Sequence, residues 1–136
     1  MGSAADSLFS RQERWEMLVS IPFADDRVVG FRIESKVTTE VLDQAIALIE
    51  VALEKHDKVR LYVEMPSFDG ITVEAFYKDI KYGFSHWSRF EREAVVTDKR
   101  WMETMASLAD TLFSSIDVRV FRSDQTDEAR DWVQAG

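Results

Sequence analysis

The chain has 136 residues, 46% of them hydrophobic and 31% charged, with two prolines and five glycines, which is enough apolar material for one core and excludes disordered or collagenous classes. Its 17 basic and 25 acidic residues leave a net charge of −8, which repels phosphate backbones and anionic lipid, so neither nucleic acid nor membrane insertion is expected. With no cysteine, disulfides, thiol nucleophiles, Cys-ligated zinc and iron–sulfur clusters are excluded.

Residues 1–13 are small and polar and lack the apolar run of a signal peptide or membrane span, so a flexible arm in a cytoplasmic protein is expected, followed by a single domain over 14–136. Trp15, Met17, Val19 and Ile21 alternate with Glu16, Leu18 and Ser20 up to Pro22, predicting a strand. Turn residues at 24–27 lead to a second alternation, Val29, Phe31 and Ile33, and so to a hairpin. From Thr38 the period becomes helical, with Val41, Leu42, Ala45, Ile49, Ala52 and Leu53 on one face, and the helix runs to about His56. Val59, Leu61, Val63 and Met65 predict a third strand closed by Pro66, and Pro66 to Ile71 reads as a loop.

Thr72 is placed to cap a second helix whose stripe is Val73, Phe76, Ile80, Phe84 and Trp87, with Gly83 in its middle. A short strand at 93–97, a helix capped by Asp98 with the stripe Trp101, Met105, Leu108 and Leu112, a strand at 118–121 and a last helix from about Asp127 complete the order ββαβαβαβα. Such alternation demands mostly parallel strands joined by right-handed crossovers. The expected fold is therefore α/β and two-layered. A mixed, mostly parallel sheet of about five strands has its first strand antiparallel at an edge, and about four helices lie mainly on one face. Strands two and three alternate cleanly, which puts Arg32, Glu34, Arg60 and Glu64, with Tyr62 and Phe121, on the opposite face. That face is expected to be wet or to contact a partner.

No phosphate-cradling glycine loop, zinc-binding helix motif or nucleophile elbow is present. His56 and His86 are far apart in the chain and have no cysteine to join them, so no metal site is expected. Ser67 and Asp69 sit too close together on one loop to engage opposite nitrogens of His86. No catalytic residue and no cofactor is therefore expected, and the chain reads as a non-enzyme. The aromatic load around the second helix is core or else the lining of an apolar pocket between sheet and helices. The lining would be Phe76, Tyr77, Ile80, Phe84, Trp87, Trp101 and Met105, with Lys78, Lys81 and Tyr82 near the mouth.

Four stretches resemble the SpoIIAA-like family of small bacterial proteins: Gly30 to Thr38, Val59 to Glu64, Lys78 to Phe84 and Glu91 to Trp101. The likeness extends over nearly all of the chain from about residue 14. It implies a STAS-type fold, that of anti-sigma-factor antagonists and of the cytoplasmic domains of anion transporters. In the antagonists a serine after the third strand, in a motif like Asp-Ser-Ser-Gly, is phosphorylated by a partner kinase. Here Asp69 matches, Gly70 and Ile71 replace the two serines, and Thr72 is the hydroxyl left at the helix start. The resemblance also reaches CRAL-TRIO lipid-binding domains, which hold an apolar ligand beneath their helices. The expected function is binding or regulation through protein–protein contact, by the loop Ser67, Phe68, Asp69, Gly70, Thr72 and the second helix, with another protein or with a second copy as a homodimer. The alternative is a carrier or sensor of a small apolar ligand.

Overall fold

A computed structural model of the protein describes residues 18–66, 68–98 and 116–136. The expected N-terminal arm and the helix expected over Trp101 to Leu112 lie outside the described residues. A five-stranded sheet has the order β1 (Leu18–Ile21), β2 (Val28–Ile33), β4 (Val59–Glu64), β6 (Phe90–Val96), β7 (Asp117–Phe121). β1 is antiparallel to β2 at the edge, and the remaining pairs are parallel. The hairpin turns on Asp25, whose carboxylate accepts two hydrogen bonds from the Arg27 side chain and one from its backbone N–H.

α1 (Thr39–Lys55) covers one face of this sheet. Thr38 caps it by accepting from the Val41 N–H at 3.3 Å, one of the donors a helix start leaves without a partner. Its buried stripe Val41, Leu42, Ala45, Ile49, Ala52 and Leu53 packs on Phe31, Ile33, Val59, Leu61 and Val63. Burying each such aliphatic side chain contributes about 1.5–3 kcal/mol, so this is the main core. α2 (Val73–His86) lies against α1, and a short 3-10 turn at Trp87–Arg89 leads into β6.

Two features depart from the sequence reading. The segment read as a loop contains a strand, β5 (Phe68–Ile71), which pairs in parallel with β3 (Ser35–Val37) as a separate two-stranded sheet. Pairing this short rests on backbone hydrogen bonds, which carry no hydrophobic signature. Much of the polar face of the main sheet is also covered, although Arg32 and Glu34 stay partly exposed. α3 (Thr126–Gln134) covers it, burying Ala129 and Val133 against Val28, Tyr62, Ala94 and Val96.

The charged residues of that face hold the end of α3. The Arg60 guanidinium, 4% exposed, donates to the carbonyl of Val133 at 3.0 Å, to that of Ala135, and to the Gly136 oxygen at 3.0 Å. Arg92 donates to the carbonyls of Trp132 at 2.6 Å and Ala135 at 2.8 Å. The last carbonyls of a helix lack intrahelical donors and carry its negative dipole end, so cations are the partners they need. Tyr62 is fully buried beneath the edge-on ring of Phe23, and its hydroxyl donates to Glu64 at 2.6 Å. Burial and that carboxylate raise the Tyr62 pKa. Glu64 also accepts from Arg32 at 3.1 Å, so the alternation that reads as a solvated face is a satisfied polar layer under a helix.

Candidate functional site

The small sheet positions the start of α2. Ser35 pairs with Phe68 and Val37 with Ile71, and the Thr72 N–H donates to the Val37 carbonyl at 3.0 Å. The Thr72 hydroxyl then accepts from the Ala75 N–H at 3.1 Å, which fixes the helix's first turn. Gly70 has φ 113° and nothing lies within 4 Å of an added Cβ, so glycine is required there for its backbone conformation and not for space. Ile71 is half-buried and packs on the main core.

Beyond this cap two large apolar side chains stand in solvent. Val73 is 83% exposed and Tyr77 is 74% exposed. Four residues apart on one helix, they are neighbours on its outer face. Val73 thus departs from the stripe expected in the sequence, of which Phe76 and Ile80 are half-buried. Ala75 is fully buried, Tyr82 packs on the core, and His86 stacks on Tyr82 with ring centroids 4.1 Å apart. Lys78 pairs with Asp43 of α1, and Glu50 of α1 receives the Tyr82 hydroxyl at 2.8 Å and the His86 imidazole at 3.5 Å. Lys78 and Tyr82, expected near a pocket mouth, thus join α2 to α1.

Of the residues expected to line a pocket, Phe76 and Ile80 are half-buried and Tyr77 is on the outside. The side chains of Phe84, Trp87, Phe68 and Asp69, and all of Ser67, Trp101 and Met105, lie outside the described residues. Two carboxylates that the sequence reading passed over are shifted in pKa. Asp79 is an exposed residue of α2. Glu93 of β6 has Leu61 and Val118 as its neighbours in register, so it projects to the core face of the sheet. Burial pushes the Asp79 carboxyl up to about 6. Burial, with the charge of Asp79 adding to it, pushes Glu93 up to about 7. Asp79 nevertheless keeps an exposed surface and Glu93 a partly exposed one. The signal available in the sequence for Glu93 was a carboxylate in the phase of Val95.

The order of strands, the antiparallel edge and the helix starting from Thr72 are those of the resemblance noted above, and a family model decides it: the SpoIIAA-like model matches residues 28–134. The chain belongs to the SpoIIAA-like family. Among solved structures, an uncharacterized protein with a SpoIIAA-like fold from Shewanella loihica is similar at 24% identity and TM-score 0.69, covering 85% of this chain and 91% of that one. At that identity the likeness is one of fold. No curated protein matches the chain. At the start of α2 in this SpoIIAA-like domain, Gly70 takes a backbone conformation that L side chains rarely adopt and Ile71 is turned to the core. The one hydroxyl of that stretch, on Thr72, is engaged as a cap. Among the described residues no group of three or more His, Cys, Asp or Glu is placed to hold a metal ion, and no helix is long and apolar enough to cross a membrane.

Proposed function

We propose that this SpoIIAA-like domain acts by binding rather than by catalysis, and that it docks a protein partner on the start of α2. The observation that carries this reading is the exposure of Val73 and Tyr77 side by side, next to a helix start fixed by Thr72 and the β3–β5 pair. Large side chains left in water gain about 1.5–3 kcal/mol each when an interface covers them, and tyrosine is enriched among the residues that dominate interface energy. Phe68, Asp69, Gly70 and Thr72 adjoin it, with Ser67 preceding them in the sequence, and the partner is another protein or a second copy of this chain.

The test is affinity capture from host cells, together with sedimentation analysis of the purified domain. Val73→Asp with Tyr77→Asp should leave the fold intact, since both side chains are exposed, and should weaken a specific complex or self-association by about 10-fold or more. A complex retained in full by the double variant refutes the assignment.

A second reading is favoured by a separate observation, the half-buried Phe76 and Ile80 of α2. It makes the domain a carrier or sensor of a small apolar molecule held between α2 and the sheet. Native mass spectrometry of freshly purified protein tests it, with a ligand-bearing species expected and only the ligand-free mass counting against it.

A further inference from the structure

The exposed face of α2 has the charge pattern of its own complement. Val73, Glu74, Tyr77 and Lys81 all stand open to solvent, and spacings of three, four and seven residues return to one side of a helix, so the four share a face. Glu74 and Lys81 are the charged groups that flank Tyr77, and among the described residues neither side chain has a hydrogen bond or ion pair. Their own helix offers them no partner. Lys78, one turn beyond Glu74, pairs instead with Asp43 of α1, and the positions three and four residues from Lys81 are Tyr77, Lys78, Phe84 and Ser85, none of them acidic.

A second copy of α2 can meet this face in two directions. Parallel packing sets Glu74 against Glu74 and Lys81 against Lys81, which is repulsive at both ends. Antiparallel packing, about a two-fold axis at right angles to the helix, sets Glu74 of each copy against Lys81 of the other. The midpoint of positions 74 and 81 falls beside Tyr77, so the axis passes between the two Tyr77 rings, and Val73 lies over the aliphatic stem of the partner subunit's Lys81. Seven residues rise about 10 Å along a helix, which leaves room for the tyrosines between the two ion pairs. The net charge of −8 opposes the approach of two copies in general, so a face on which unlike charges meet is the one suited to contact. We propose that the domain forms a two-fold dimer by antiparallel packing of α2 on α2 of a second copy, with Tyr77 at the centre and a Glu74–Lys81 pair at each end. This rests on the docking reading and names its partner.

Sedimentation equilibrium of the whole chain from micromolar to millimolar concentration reads the dimer directly, and wild type is expected to pass from monomer to dimer in that range. Glu74→Lys alone sets like charges against the partner subunit's Lys81, and Lys81→Glu alone does the same against the partner subunit's Glu74. Each should weaken the dimer by about 10-fold, because symmetry counts every change twice. Glu74→Lys combined with Lys81→Glu restores unlike pairs and should return the dissociation constant to within about 3-fold of wild type. Both side chains are exposed, so urea unfolding should find all three variants folded. Rescue by the double reversal is a result that an unrelated protein docked on α2 would not give. A chain that stays monomeric throughout overturns the dimer and leaves docking of another protein on α2 standing. So does a dimer that Val73→Asp with Tyr77→Asp weakens but whose charge reversals are without effect or without rescue. A dimer unchanged by Val73→Asp with Tyr77→Asp and by the charge reversals overturns both.

Discussion

Replacing Glu93 by glutamine isolates the consequence of placing a carboxylate on the core face of the sheet. Glu93 is pushed from 4.5 up to about 7, mainly by burial, with the Asp79 charge adding to it. A carboxyl raised in the folded state stabilises the fold fully below its unfolded value, and that contribution is lost as pH climbs through the folded value. The loss therefore falls between about pH 4.5 and pH 7, and the difference corresponds to about 3 kcal/mol. The partial exposure of Glu93 reduces this to about 2 kcal/mol. Glutamine has nearly the same shape and no charge to desolvate. Urea unfolding of wild type and Glu93→Gln across the range should give curves that coincide near pH 4.5 and separate by about 2 kcal/mol near pH 8, with the variant the more stable. Titrating groups other than Asp79, whose charge acts on Glu93, cancel in the difference. A variant that is less stable near pH 8, or a gap that does not change with pH, would refute the placement of Glu93.

Three other substitutions test the frame around the site. A Cβ on Gly30 would fall 2.5 Å from Phe23 Cε1 and 2.6 Å from the Ile21 carbonyl oxygen, so Gly30→Ala should cost about 1–3 kcal/mol in urea unfolding because the backbone oxygen cannot step aside. Arg60→Met keeps the aliphatic stem and removes the guanidinium that holds Val133, Ala135 and Gly136. It should cost about 3 kcal/mol and speed proteolysis within α3 before the rest of the domain opens. Gly70→Ala meets no atom within 4 Å, so its cost of about 1–2 kcal/mol should come from the left-handed backbone alone, and unchanged stability would mean that the loop does not need that conformation.

The parts of the fold that were legible in the sequence are those where one element buries a periodic face. Phe31 and Ile33, Leu61 and Val63, and the α1 stripe from Val41 to Leu53 announce two strands and a helix because apolar residues recur at the period of the element. Arg60 and Tyr62 misled for a physical reason: their burial depends on α3, which supplies a covering helix and unsatisfied carbonyls from more than seventy positions further along the chain. An arginine that will meet a helix end looks, locally, like one that will meet water. The β3–β5 pair was hidden because Ser35 to Val37 and Phe68 to Ile71 are held by main-chain groups that every residue carries. On α2, Phe76 and Ile80 of the expected stripe are half-buried, but Val73, which its hydrophobicity places inward, faces solvent, and that inversion marks a candidate for function.

Site-specific photo-crosslinking gives the most direct measurement of the proposed docking surface. A benzophenone amino acid replaces Tyr77, and the same group placed at Val51, an exposed position on α1, serves as the reference. In host cells the probe at position 77 should give one discrete adduct, to a partner protein or to a second copy of the chain, and the probe at position 51 should not. No adduct from position 77, or the same adducts from both positions, would contradict binding through the start of α2.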